Sequence, residues 1–212
     1  MSQDNRVCII DDDEAIRESL RLLLFSAGID SHAYASADTF LARSDTREFD
    51  CLLLDIRMPG MDGLELFQVL RRQKAPYPVI FITGHGDIPL AVRAIQEGAF
   101  DFLTKPFREG ELLAKVRAAI SRFHGEREHL HVIEEINRRF ESCTPRERDV
   151  MRLMVQGLPN KGIADQLQIS PRTVEIHRAH VMEKMEADSL PSLVRMISLL
   201  RSFPDGEGFP SG

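Results

Sequence analysis

The chain has 212 residues, 43% of them hydrophobic, and a formal net charge of −6, material for one large or two small domains with real cores. No apolar stretch approaches the roughly 20 residues of a membrane span, and the N-terminus MSQDNRVCII lacks a basic segment followed by a long apolar one; neither anchor nor secretory signal is expected, and the location is expected to be cytoplasmic. Cys8, Cys51 and Cys143 are odd in number, widely spaced and form no CxxC, which argues for buried free thiols over a cysteine-built disulfide or zinc framework.

From the N-terminus to about residue 121, strand and helix signals alternate, the pattern of a parallel α/β sheet. Residues 7–11 are a short apolar run ending in acids. Residues 14–27 place Ile16, Leu20, Leu23 and Leu24 on one helical face, and Gly28 suits the helix end. A second strand spans 29–35, and Ser36 caps a short helix to 42. CLLLD at 51–55 lacks polar alternation, as expected of a third strand buried on both faces, and 64–73 is the third helix. VIFIT at 79–83 is the fourth strand. The fourth helix, 88–97, has Pro89 in its first turn and Gly98 at its end. Residues 100–104 are the fifth strand, and a fifth helix begins at 109.

Residues 122–142 repeat Leu130, Ile133, Ile136 and Phe140 at spacings of three and four, a charged amphipathic linker helix with a break expected near Gly125. A solvated spacer and a lever or dimer strut are both open. Charge then changes sign: residues 1–121 hold 14 basic and 19 acidic residues, whereas 142–203 hold 9 basic and 7 acidic. This second region reads as purely helical. Thr144-Pro145-Arg146-Glu147 is a capping box with Pro at the first helical position, and Gly157 ends the helix. Residues 160–167 form a short helix, 168–170 a tight turn, 170–186 a third helix, and 189–201 a fourth. Two helices joined by a three-residue turn are a helix-turn-helix. The expected division is 1–121, a helical linker at 122–141, a helical domain at 142–203 and a disordered tail at 204–212.

Chemistry collects at the strand ends. The first strand runs into Asp11-Asp12-Asp13, the third ends in Asp55, the fourth in Thr83, and Lys105 follows the fifth. Ligands of parallel α/β sheets sit outside the carboxyl ends of the strands. The acids repel one another, and a hard cation such as Mg2+ (or Mn2+) relieves that repulsion. With a phosphoryl group present, Asp55 becomes a carboxylate nucleophile, Lys105 a point charge on a phosphoryl oxygen and Thr83 a hydrogen-bond donor, with Gly84 leaving room. Asp13 reads as a helix N-cap. His85 reads as structural or loop-gating, because a carboxylate nucleophile needs no base.

Those motifs, DDD at 11–13, DIRMPGMDG at 55–63, ITG at 82–84 and FLTKPF at 102–107, resemble the receiver domain of bacterial response regulators over residues 5–121. The resemblance implies a flavodoxin-like (βα)5 fold of strand order 2-1-3-4-5. It also implies Asp55 as phosphoacceptor, Asp12 as direct metal ligand, Asp11 acting through a metal-bound water, the Arg57 carbonyl as a further ligand, and a cis Lys105–Pro106 bond. Phe102 takes the place of an aromatic ring that turns inward as Thr83 is drawn to the phosphoryl group. GHGDIPLAVRAI at 84–95 resembles the FixJ branch, implying a phosphorylation-driven homodimer through the fourth helix and fifth strand. Of Ile88, Leu90, Val92 and Ile95, most are expected in the core and at least one on a partner.

In the helix at 170–186, Val174, Val181 and Met185 fall on one stripe assigned to the core. Arg172, Glu175, Ile176 and Ala179 fall on another, near the end where a recognition helix meets base edges, with Thr173 beside them. Glu175 suits a cytosine amino group and Ile176 a thymine methyl. Asn160, Lys161, Arg172 and Arg178 suit phosphates. T-P-R-E, G-L-x-N-K-x-I-A and R-T-V-E-x-H-R resemble the LuxR/NarL-type four-helix DNA-binding domain over 142–202. Pro159 and Gly162 depart from the usual Ser and better helix former, and Ala179 from the Lys of some members. Leu193, Val194, Ile197 and Leu200 of the last helix are candidates for dimerisation on DNA or for the domain's own core.

The resemblances imply a transcription factor phosphorylated on Asp55 by a sensor histidine kinase, dimerising and binding double-stranded DNA, with RNA polymerase as a further partner. The alternative keeps the domains but makes the output phosphorylation-independent or repressing. A metal-dependent hydrolase would need a second acid/base group beside Asp55 and a substrate pocket, and the sequence offers neither; no enzyme is expected beyond slow self-dephosphorylation.

Overall fold

A computed structural model describes residues 5–42, 49–84 and 87–201. The chain divides into two compact units, Met1–Arg127 and Glu128–Gly212. His85 and the tail at 204–212 lie outside the described residues. No described helix is long and apolar enough to cross a membrane.

The first unit is built on five strands, β1 (Arg6–Ile10), β2 (Asp30–Tyr34), β3 (Cys51–Asp55), β4 (Val79–Thr83) and β5 (Asp101–Thr104). All pairings are parallel and the order is β2-β1-β3-β4-β5, the flavodoxin-like arrangement. Helices α1 (Glu14–Ser26), α2 (Ala37–Leu41), α3 (Gly63–Arg72), α4 (Ile88–Gln96) and α5 (Glu109–Ser142) alternate with the strands. Side-chain alternation splits each central strand between two cores. Cys8, Ile10, Leu52, Leu54, Val79 and Phe81 pack with α2, α3 and α4, whereas Val7, Ile9, Cys51, Leu53, Ile80 and Ile82 pack with α1 and α5. Both faces of β3 are covered, and all five of its residues are buried. Full burial of each such aliphatic side chain stabilises by about 1.5–3 kcal/mol.

Local signals act where expected. Asp13 caps α1, its carboxylate accepting from the Ala15 and Ile16 backbones. Gly28, after the end of α1, takes φ +74°, which a Cβ would make costly. Ser36 caps α2. Cys8, Cys51 and Cys143 are free and buried, and burial pushes the Cys51 thiol well above its usual range, with Asp50 adding to it.

Two expectations fail in this unit. Ile88, Val92 and Ile95 are exposed at 39%, 44% and 36%, and α4 instead buries Ala91 and Ala94, with Leu90 partly covered. Residues 91 and 94 are three apart on one face, and their small side chains let the helix backbone sit close to the sheet. The second failure is the break at Gly125, because α5 is continuous from Glu109 to Ser142. A helical glycine costs only about 1 kcal/mol. Before it, Leu112, Val116, Ala119, Ile120 and Phe123 are anchored in the first unit; after it, Ile133, Ile136 and Phe140 are anchored in the second. Leu130, expected on the apolar stripe, is 43% exposed.

The second unit adds α6 (Pro145–Val155), α7 (Asn160–Leu167), α8 (Pro171–Lys184) and α9 (Leu190–Arg201). The capping box forms: Glu147 N–H donates to Thr144 Oγ1 at 3.3 Å, and Thr144 N–H donates to Glu147 Oε2 at 2.8 Å. α7 and α8 are joined through Gln168, left-handed at φ +54°, and Ser170, whose hydroxyl accepts from the Thr173 backbone at 3.0 Å. Val174, Val181 and Met185 are fully buried, as their stripe predicts. In α9, Leu193, Ile197 and Leu200 are buried in the unit's own core and Val194 is partly buried. The first three are therefore unavailable for dimerisation on DNA.

Candidate functional site

The edge at which β1, β3, β4 and β5 end gathers the chemistry. Lys105 Nζ donates to Asp11 Oδ2 at 2.9 Å and to Asp55 Oδ1 at 2.8 Å, joining residues that follow or end three different strands. Asp11 is 1% exposed and Asp55 6%. Backbone groups complete the frame. Lys105 N–H donates to the Thr83 carbonyl at 2.7 Å, Arg57 N–H to Asp55 Oδ2 at 3.0 Å, and Asp13 N–H to Asp11 Oδ1 at 2.9 Å. The Lys105–Pro106 bond is cis.

Charge does not balance in this cluster. Burial pushes the Asp55 carboxyl above its usual range; the hydrogen bond and charge of Lys105 and the Arg57 backbone pull it down, and Asp11 pushes it up, for a net rise. Burial works against the Lys105 ammonium too, but its bonds to Asp55 and Asp11 more than offset this and raise its pKa. The two directions agree on one picture: two carboxylates share one ammonium, so the lysine is held charged while a carboxylate stays under-compensated. Asp12, exposed beside them, adds a third carboxylate. With three carboxylates and one ammonium, the set is two positive charges short, which suits a hard divalent cation. Asp11, Asp12 and Asp55 do not gather ligand oxygens within 4.8 Å of one another; among the described residues one group does, in the second unit. Lys105 occupies the position between Asp11 and Asp55.

Thr83 reaches the same edge, 1% exposed, with its hydroxyl donating to the Gly84 carbonyl at 3.1 Å. Phe102, opposite Phe81 in the β4–β5 register, is partly buried against the core shared by α3 and α4. Two contributors have no motif of their own. Arg17 on α1 donates to the carbonyls of Asp11 and Asp12 at 2.8 and 2.9 Å, fixing the acidic loop. Asp87, 6% exposed at the start of α4, makes no side-chain cap and instead accepts from Arg57 Nε at 2.8 Å. An acid before a helix reads as an N-cap, so only the spatial approach of residue 57 reveals its use.

In the second unit α8 carries Arg172, Glu175, Ile176 and Ala179 exposed, with Thr173 and Arg178 partly buried. Ile176, an apolar residue of α8, is 46% exposed. Arg172 and Glu175 form an ion pair at 3.2 Å. Lys161 is exposed and Asn160 partly so at the start of α7, whose N-cap position, Pro159, offers no side-chain cap.

A sheet with an acid–lysine cluster at its carboxyl edge and, in the same chain, a helix-turn-helix presenting a polar face define a signal-receiving module coupled to a nucleic-acid reader. Family models agree for each half. Residues 7–117 match the response regulator receiver domain, and residues 141–197 match the bacterial regulatory proteins of the luxR family. The chain is 44% identical to the transcriptional regulatory protein FixJ of Azorhizobium caulinodans over 211 residues, 100% of both chains. It is 44% identical to FixJ of Bradyrhizobium diazoefficiens over 196 residues, 92% of this chain and 96% of that one. Among solved structures, the response regulator StyR superposes with TM-score 0.84 at 40% identity, covering 92% of this chain and 99% of that one. Full-length FixJ from B. japonicum gives 0.61 at 42%, covering 95% and 100%. The chain therefore belongs to the FixJ-like two-component response regulators, transcription factors that join a receiver domain to a LuxR-type DNA-binding domain and are not enzymes. Receiver domains of this family typically bind Mg2+ at the phosphorylation site and imply a histidine kinase partner, and the luxR-family domain implies DNA binding.

Proposed function

We propose that Asp55 is the phosphoacceptor through which a sensor histidine kinase controls DNA binding by this chain. The observation that carries it is the Lys105 ammonium bridging buried Asp11 and Asp55 at the strand ends. A carboxylate oxygen of Asp55 attacks the phosphorus of the kinase's phosphohistidine; the P–N bond breaks, the imidazole keeps its electron pair, and an acyl phosphate forms on Asp55. Lys105 then pairs with a phosphoryl oxygen while keeping Asp11. Asp12, Asp55 and the Arg57 carbonyl, with Asp11 through a water, would hold Mg2+ or Mn2+, which supplies neutralisation of the phosphoryl oxygens. The Thr83 hydroxyl leaves the Gly84 carbonyl for the phosphoryl group, and Phe102 follows, biasing a two-state element.

The output is a homodimer through α4 and β5. Exposed Ile88, Val92 and Ile95 supply its apolar centre. The paired second domains engage double-stranded DNA in the cytoplasm, with RNA polymerase as a further partner. Acetyl phosphate and Mg2+ are expected to convert the full chain from monomer to dimer by sedimentation and to tighten promoter binding. A chain that binds DNA equally well without the phosphodonor would favour the phosphorylation-independent reading, and one that lets go of DNA the repressing one.

Asn160, Lys161, Arg172 and Arg178 are assigned to phosphates, and Thr173, Glu175, Ile176 and Ala179, with Arg172 at its edge, to the face that meets the groove. Lys161→Ala is expected to weaken all sequences alike and to lower the salt slope by about 1. Glu175→Gln is expected to change the preferred sequence instead, and it also frees Arg172 from its ion pair. Site selection from random DNA separates the two; an unchanged consensus with Glu175→Gln would remove Glu175 from base reading.

A further inference from the structure

In the second unit a buried carboxylate faces two histidines that the DNA-reading face does not use. Glu147 of α6 is 3% exposed. Its Oε2 accepts from the Thr144 backbone at 2.8 Å and from Lys184 Nζ at 2.7 Å. Its Oε1 lies 3.5 Å from His180 Nδ1 on α8, too long for a good hydrogen bond, so that oxygen keeps lone pairs to give. His177, three residues earlier on the same helix face, has a buried Nδ1 with no hydrogen-bond partner. One ligand atom from each of Glu147, His177 and His180 lies within 4.8 Å of the others.

We propose that Glu147, His177 and His180 form a transition-metal site of the Zn2+ class that fastens the recognition helix α8 to α6. Two imidazoles and one carboxylate oxygen select a borderline metal over Mg2+, which prefers oxygen alone. The carboxylate is ready as a ligand. Lys184 and the Thr144 backbone hold Oε2 in place, which leaves Oε1 turned to the histidines. With metal–ligand bonds of about 2.0–2.2 Å, tetrahedral ligand atoms sit roughly 3.4 Å apart. The present spacing, up to 4.8 Å, is wider than that, so the three side chains draw together on binding. The His180 side chain is 52% exposed, so the fourth position opens to solvent and takes water. Lys184 stays on Oε2, so the bound cation leaves the site net positive beside Ala179, on a domain whose own basic excess is slight. Occupancy is therefore expected to strengthen DNA binding and steepen its salt dependence.

The test uses the full chain carrying Asp55→Asn, in excess Mg2+, so that the receiver site does not report. Calorimetric titration with Zn2+ is expected to show one site per chain, and titration with Co2+ the visible absorption of a tetrahedral complex. His180→Asn, a half-exposed position whose melting curve verifies the fold, is expected to weaken Zn2+ at least tenfold and to remove the Zn2+-dependent gain in DNA affinity. Equal Zn2+ affinity in His180→Asn and its parent, or no Zn2+ uptake by the parent, would overturn the site.

Discussion

Asp55→Asn is expected to abolish phosphoryl uptake while leaving the first domain at least as stable as before. The asparagine amide is no nucleophile, so incorporation from acetyl phosphate falls to background. Stability moves the other way because the carboxylate at this position is under-compensated. Its folded pKa is raised, mainly by burial, so ionising this group costs more in the folded chain than in the unfolded one. The substitution removes that cost, and Lys105 retains Asp11 at 2.9 Å. Thermal unfolding in the absence of Mg2+ is expected to show a midpoint unchanged or higher. Phosphoryl incorporation persisting at the wild-type level would place the acceptor elsewhere, with Asp11, which shares Lys105, the first candidate.

Gly63→Ala is expected to damage both fold and chemistry. A Cβ at position 63 would lie 2.0 Å from the Asp55 carbonyl oxygen, 3.0 Å from its carbon and 3.1 Å from Ile56 Cα. All three are backbone atoms, so no rotamer change relieves the contact. The Gly63 N–H also donates to the Ile56 carbonyl at 3.0 Å, tying the start of α3 to the loop that follows Asp55. Pushing these segments apart is expected to cost roughly 3 kcal/mol, a midpoint fall of roughly 10 °C for a domain of this size. It also displaces Asp55 relative to Lys105, so phosphoryl uptake should slow. Gly60→Ala is the control. It is strained by φ +78°, but its Cβ would meet nothing nearer than Asp38 Oδ2 at 3.8 Å, a cost of about 1 kcal/mol. Equal midpoints for the two variants would show that close approach is not what makes residue 63 glycine.

Much of this architecture is readable from the chain because local chemistry and global fold agree. Apolar runs ending in Asp11, Asp55 and Thr83 read directly as strands whose ends carry function, since burial on both faces leaves no other pattern for β3. Thr144, Pro145 and Glu147 announce a helix start whose two reciprocal bonds are both present. What escaped depends on distance through space. The Arg57–Asp87 pair joins residues thirty apart, and neither type in its place says more than surface basic and helix-start acid. Ile88, Val92 and Ile95 look like core by composition alone; only the fit of Ala91 and Ala94 under α4 turns them outward. Gly125 suggested a break because a glycine's own preference is visible in sequence, whereas the anchoring of α5 on both sides of it is not.

Because β1, β3 and β4 are covered on both sides, the placement of Asp55 is counted out in residues. The strand alternates between two different cores, and Asp55 pairs with Ile82 at the last rung of the ladder. Deleting one residue from 51–54 would exchange the side chains that follow it in β3 between layers and draw the acid back from the edge by one step, about 3.3 Å. Substitution is thus forgiven along this segment far more readily than any change in its length.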